Sequence, residues 1–189
     1  EVLIKPNFNI LAVGSIGLYN NFDELKLASD SILPHVRTDI VKYLKGSSKS
    51  HITRLQANYF GNPYKSIYTK LSAGIFEPMF SGYGGEILYK PFGQSFAVGA
   101  ELWHVRQRSF RQLFSYRDYE TVTGHMNFYY VEPTTRVLLH LKGGKYLAKD
   151  SGFTFNVSRN FESGLNMGVF FSLTDISKAE FGEGSFDKG

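Results

Sequence analysis

Along "TVTGHMNFYYVEPTTRVLLHLKGG", residues 121–144, oily and polar side chains alternate. In its first half Val122, Gly124, Met126, Phe128 and Tyr130 fall on one side, and Thr121, Thr123, His125, Asn127 and Tyr129 on the other. In its second half Thr135, Val137, Leu139 and Leu141 oppose Arg136, Leu138, His140 and Lys142. Further on, Leu165, Met167, Val169, Phe171 and Leu173 oppose Asn166, Gly168, Phe170, Ser172 and Thr174. A period of two predicts β-strands with one apolar face. The apolar faces carry no charge over their whole length.

The same grammar recurs from about residue 52 onward, in runs separated by "GNP", "PFGQ", "EPTT" and "ESG". Turn chemistry every 8–12 residues or so predicts an antiparallel all-β architecture. The opening stretch also alternates, with Val2, Ile4, Phe8, Ile10 and Ala12 on one face, and reads as a strand. Residues 22–45 differ. Asn21 or Asp23 is a candidate N-cap, Pro34 suits a first helical turn, and Gly46 a stop. Val36, Ile40 and Leu44 recur every four residues. This predicts a broken helix pair inserted between strands, with an amphipathic helix over 34–45 docked by those three side chains.

Two architectures separate oil from polar groups in this way. A soluble sandwich or lipocalin-like barrel turns the oily face inward; a transmembrane barrel turns it toward lipid around a polar interior. Strands of 9–11 residues and aromatic girdles mark the second. Tyr89, Phe96, Trp103, Tyr129, Tyr130, Phe153 and Phe161 are placed near strand ends. Pattern alone leaves both open, with the soluble form slightly ahead.

Composition refines this picture. Aromatic residues make up 16% of the 189, glycines number 19, and the net charge is +4. The absence of cysteine removes disulfides, thiolate metal sites and thiol nucleophiles. No run of about 18 apolar residues is present, so no membrane-spanning helix is expected. The chain opens directly into strand-like alternation and ends on "GEGSFDKG", which predicts that residues 1–189 are one segment of a longer protein.

Chemistry-bearing motifs are sparse. "LKGGKYLAKDSG" lacks the first glycine of a phosphate loop and has Tyr146 where Ser or Thr is needed. "SGYGGE" does not fit a dinucleotide-binding turn, and no serine-hydrolase elbow is present. His35, His51, His104, His125 and His140 show no ligand spacing, so no metal or other cofactor is implied. Glu77, Glu86, Glu101, Asp118 and Asp150 could supply a glycosidase pair. Acids of this kind more often pair with Arg and Lys on neighbouring strands. "HVRQRSFRQ" interleaves Arg106, Arg108 and Arg111 with Phe110. Without an RNA-binding signature it reads as a basic cluster at one mouth of a barrel, and no nucleic-acid partner is expected.

Six segments in order, "LPHVRTDIVKYL", "GIFEPMFSGYGGEILYKP", "FAVGAELWHVRQRSF", "YETVTGHMNFYY", "GKYLAKDSGFTFNVSRNFESG" and "FGEGSFDKG", resemble the YjbH-type exopolysaccharide biosynthesis proteins. These are outer-membrane β-barrel proteins of Gram-negative bacteria that include the capsule protein of the same type. The resemblance covers roughly residues 30–189. It implies lipid-facing oily strands, a lumen lined by His125, Asn127, Arg136, His140 and Lys142, further strands that complete the barrel, and a lipoprotein of the outer membrane. It implies a part in exopolysaccharide or capsule production or export, by binding or passage and not by catalysis. Its expected partners are polysaccharide, outer-membrane lipid and other proteins of the same secretion operon. The helix is expected at the periplasmic side or as a lumen plug.

Three readings compete. One is this export barrel, with Arg136, His140 and Lys142 drawing acidic sugars unless acids such as Glu101 or Asp150 neutralise them. Another is a soluble all-β domain that binds or modifies glycans. The last is a barrel that only scaffolds a secretion complex.

Overall fold

The computed structural model describes residues 2–25, 39–46 and 50–176. Ten strands form one antiparallel sheet in which sequence neighbours are also sheet neighbours. They are β1 (Val2–Lys5), β2 (Phe8–Ile16), β3 (Ser50–Tyr64), β4 (Ile67–Ile75), β5 (Phe80–Tyr89), β6 (Phe96–Arg108), β7 (Tyr116–Val131), β8 (Val137–Lys145), β9 (Ser151–Asn160) and β10 (Asn166–Thr174). Among the described residues, the connection between β2 and β3 carries a 3-10 turn (Phe22–Glu24) and an α-helix, α1 (Ile40–Gly46). Among the described residues the sheet is open, with β1 and β10 as its two edges.

The sequence expectation of an antiparallel all-β fold with one short helical segment holds. Four local expectations are corrected. The opening stretch is a hairpin, not one strand: Val2 pairs with Ile10 and Leu3 with Asn9. "GNP" is not a turn. Gly61, Asn62 and Pro63 lie inside β3, and the ladder with β4 shifts between Gly61 and Tyr64. A bulge at that point accommodates a proline that cannot donate to the ladder. The chain reverses two residues later at Lys65–Ser66, where Ser66 takes φ 66. Trp103 and Tyr129 are not girdle residues, since both belong to the polar face described below.

The fourth correction concerns the helix. Pro34 and Val36 lie outside the described residues, and α1 begins at Ile40. Ile40 is 51% exposed, whereas Tyr43 is buried at 3% and the preceding Asp39 at 4%. A polar anchor therefore holds the helix. Asp39 accepts from Gln107 Nε2 at 3.1 Å, and Gln112 Nε2 donates to the Tyr43 carbonyl at 2.9 Å. The Tyr43 hydroxyl donates to the Arg108 carbonyl, and its ring packs edge-on against Phe110 at 5.1 Å. Gly46 closes the helix against the Phe110 backbone, where a Cβ would fall 2.0 Å from the carbonyl oxygen.

One face of the sheet is buried, with no second layer of strands or helices over it among the described residues. Along β7, Thr121, Thr123, His125 and Asn127 are buried while Glu120, Val122, Met126 and Phe128 are exposed. Burial of one face of a single sheet is what curling of the sheet around that face produces. The concave side is thus polar and the convex side apolar, the reverse of a soluble core. Met126, Leu141, Val169 and Phe171 are 61, 43, 72 and 56% exposed. From Val122 to Tyr130 the convex side of β7 carries no charge. Arg106 and Glu120, register partners on β6 and β7, flank that stretch at the helix-bearing end, and Arg159 of β9 stands near the other end.

Candidate functional site on the concave face

Register places the concave side chains in transverse rows. Lys70 of β4 pairs with Glu86 of β5, Glu86 with Glu101 of β6, and Glu101 with His125 of β7. Directly opposed residues share a face, so these four form one row. Lys70 Nζ lies 2.9 Å from Glu86 Oε1. Glu101 Oε1 lies 2.8 Å from His125 Nδ1 and 3.2 Å from Lys142 Nζ. The Trp103 indole donates to the other Glu101 oxygen at 3.3 Å. Two carboxylates placed side by side are thereby flanked by a lysine at each end.

A second row adjoins it. Asn127 pairs in register with Lys142, and its Oδ1 lies 2.9 Å from His140 Nε2. The His140 ring stacks on Tyr129 at 4.3 Å. Tyr146 packs edge-on against His125 at 4.7 Å, and its hydroxyl shares a chain of 2.7 Å bonds with Thr154 and Ser172. The polar face therefore continues to β10.

The helix-bearing end is closed by Arg108, which is wholly buried. No carboxylate among the described residues lies within salt-bridge distance of its guanidinium, which donates to five backbone carbonyls. Nη1 reaches Glu77 and Pro78 at 2.8 and 3.2 Å. Nη2 reaches Ile52, Gln112 and Leu113 at 2.9, 2.6 and 3.1 Å. One planar fork thus joins the start of β3, the β4–β5 turn and the β6–β7 loop. Burial pushes the Tyr43 phenol beside it up to about 12, so it donates as the neutral hydroxyl.

The opposite end carries the tight turns. In the β7–β8 turn Glu132 Oε2 accepts from the Thr134 and Thr135 amides and from the Thr135 hydroxyl. These bonds hold its carboxyl well below the usual range, at about 2. Next to this turn the concave face opens into a cleft of about 560 Å³, whose lining includes Glu86, Glu101, Asn127 and Tyr129.

A family model described as "Exopolysaccharide biosynthesis protein YbjH" matches residues 1–189. The chain belongs to this family. A curated relative, "Uncharacterized lipoprotein YjbH" of Escherichia coli (strain K12), is 35% identical over 190 residues, covering 96% of this chain and 27% of the relative. The chain thus spans about a quarter of the length of the relative it matches. No solved structure matches it. No helix among the described residues is long and apolar enough to cross a membrane.

Four of the five lumen candidates of this family member come together: His125, Asn127, His140 and Lys142 lie on the concave face of β7 and β8. Arg136 does not join them. It precedes β8, takes φ 57 in the turn, and its side chain is 70% exposed, 3.7 Å from Glu162. The turn "EPTT" extends one residue further than alternation indicates, because Glu132 accepts the Arg136 amide in a local loop bond. Sequence reasoning missed Lys70 as a member of the row, Trp103 as a donor to Glu101 and Arg108 as a buried pillar. Cross-strand register decides the first, and spacing of two along β6 the second. "HVRQRSFRQ" marked Arg108 only as one of three bases, since nothing local distinguishes an arginine that meets carbonyls from one that meets water.

Proposed function

We propose that this chain forms part of the wall of an outer-membrane β-barrel that takes part in exopolysaccharide biosynthesis or export by binding or passing the polymer. The observation that carries the reading is the inverted polarity of the sheet. A continuous uncharged band covers the exposed side, and a hydrogen-bonded polar face fills the curled side. From Val122 to Tyr130, at about 3.3 Å per residue and a tilt near 40°, the band rises roughly 20 Å, close to the height of a membrane barrel's apolar belt. Exposed apolar area of this extent on a soluble domain would be an association liability. A spanning barrel must also close, because open edges leave backbone groups unpaired in hydrocarbon. Further strands of the whole protein would supply that closure. The relative's description as a lipoprotein supports attachment to a membrane.

Binding is favoured over catalysis because Glu86 and Glu101, the two carboxylates brought together, each have a cation at salt-bridge distance. That arrangement suits a fixed polar lining better than an acid that must hold and release a proton. The test uses the full-length protein in a Gram-negative host lacking its own copy. Lys142→Gln combined with Asn156→Leu alters two concave side chains on neighbouring strands. Surface polysaccharide should fall while the protein stays at normal abundance in the outer-membrane fraction. Recovery in the soluble fraction, or unchanged polysaccharide, would refute the reading.

A further inference from the structure

The two ends of the sheet are built differently. At the helix-bearing end the strands are joined by residues 17–49 between β2 and β3, 76–79 between β4 and β5, 109–115 between β6 and β7, and 146–150 between β8 and β9. At the other end the connections are residues 6–7, 65–66, 90–95, 132–136 and 161–165. The two longest connections, 17–49 and 109–115, both lie at the helix-bearing end.

The connections at that end are tied to one another. Arg108 joins the start of β3, the β4–β5 turn and the β6–β7 loop, and Gln112 of that loop holds α1 through the Tyr43 carbonyl. The Tyr119 hydroxyl donates to the Leu147 carbonyl in the β8–β9 turn. Beneath them Phe80, Val105, Gln107 and Thr121 are buried on the concave face. The other end carries tight turns held by their own residues, with Glu132 bonded inside the β7–β8 turn and Asn62 to the Tyr64 and Ile67 carbonyls beside the β3–β4 turn. The 560 Å³ cleft lies there, lined by Gln94 and Ser95 of the β5–β6 connection and Pro133 of the β7–β8 turn.

The ladder is offset in the same direction. β7 stops at Val131, next to Tyr130 at one margin of the uncharged band, but runs from Val122 at the other margin back to Tyr116. Arg106 and Glu120 are register partners on that extension. The ladder of β7 therefore stands clear of the band on the helix-bearing side, where charged strand residues and long connections require water beside them.

In outer-membrane barrels the periplasmic connections are short turns, the longer loops face the cell surface, and loops or a helix fill the interior of some. We propose that the helix-bearing end of this chain faces the cell exterior and the tight-turn end the periplasm, so that α1 and the Arg108 network lie at the outer mouth and the cleft is entered from the periplasmic side. The proposal rests on the membrane reading of the preceding subsection and adds the direction of the wall. Of the two positions expected for the helix from sequence, the periplasmic side and a lumen plug, it excludes the first.

The test uses single-cysteine variants of the full-length protein in capsule-free cells. The probe is a maleimide-linked polyethylene glycol too large to pass the outer membrane, and labelling is read as a gel shift. Arg111→Cys and Phe114→Cys, at exposed positions of the β6–β7 loop, should be labelled in intact cells and gain less than twofold when EDTA opens the outer membrane. Phe92→Cys and Gln94→Cys, at exposed positions of the β5–β6 connection, should gain at least tenfold on opening. The reverse pattern would overturn the orientation and leave the barrel reading standing. Labelling of all four only in opened cells would also overturn it, and recovery of the protein in the soluble fraction would then show that the barrel reading had failed first.

Discussion

Glu101 and His125 face each other across β6 and β7, with Oε1 2.8 Å from Nδ1, on the concave side of a sheet whose convex side is oily. The His125 side chain is only 6% exposed and its Nε2 has no hydrogen-bond partner among the described residues. Glu101 is therefore the group that anchors this ring, and it also binds Lys142 at 3.2 Å. Leaving a part-buried cation without its partner is costly. Glu101→Leu should destabilise the protein by about 2–4 kcal/mol, and Glu101→Gln by about 1–2 kcal/mol because it retains an acceptor. Denaturant midpoints of the full-length protein in detergent would measure both. Equal, small effects would mean that the pair contributes nothing to stability.

Arg108 should be less tolerant of conservative change than any surface base. Its fork donates to five carbonyls from three separate segments. Lysine offers three donors from one atom and cannot span them. Arg108→Lys is expected to cost about 3–5 kcal/mol, whereas Arg106→Lys, on the exposed convex side, should stay within about 0.5 kcal/mol. Thermal melts of the two variants side by side would show the contrast.

The helix provides a sharper discrimination. Tyr43 is its buried anchor and Ile40 is half exposed. Tyr43→Ala should weaken docking by about 3–5 kcal/mol and expose the α1 segment to protease. Ile40→Asp should leave both unchanged within about 0.5 kcal/mol. Limited proteolysis mapped by mass spectrometry reads the result. Cleavage enhanced by Ile40→Asp and not by Tyr43→Ala would restore the docking face expected from sequence.

Glu132 makes the β7–β8 turn pH-sensitive. Its carboxyl titrates at about 2, held down by the Thr135 hydroxyl and then by the Thr135 and Thr134 amides. A depressed acid contributes stability above its unfolded value near 4.3 and loses it as pH falls through the folded one. The Thr134 and Thr135 amides should therefore be protected from hydrogen exchange at pH 5–7 and lose protection toward pH 2. In Glu132→Gln the protection should be lower at neutral pH and flat across this window. Persistent pH dependence in the variant would assign the effect to another group.

Most of the architecture was legible in the sequence where strands are long and alternation unbroken. β7 reads correctly side chain by side chain, because a half-buried strand imposes period two on every position, whereas β10, an edge strand, is exposed along most of its length on both faces. Legibility failed where geometry depends on a partner far along the chain. Pro63 looks like a turn residue, and only the bulge opposite β4 permits it inside a strand. Ile40 fits a four-residue period, yet the actual anchor, Tyr43, acts through hydrogen bonds to residues 108 and 112. Arg136 matches its neighbours in spacing, but a left-handed turn residue lies outside the ladder. The concave row was only half visible, because Lys70 and Glu86 join Glu101 through register and not through proximity in sequence.

The orientation of the oily face is the claim on which the account turns, and collisional quenching by brominated lipids tests it most directly. Single-cysteine variants of the full-length protein at Met126, Phe128, Leu141, Val169 and Phe171, labelled with an environment-sensitive fluorophore and reconstituted in bilayers, should be quenched by brominated acyl chains. Labels at Asn127 and Lys142, on the concave face, should not. Quenching at Asn127 and Lys142 with none at the five convex positions would contradict the membrane orientation.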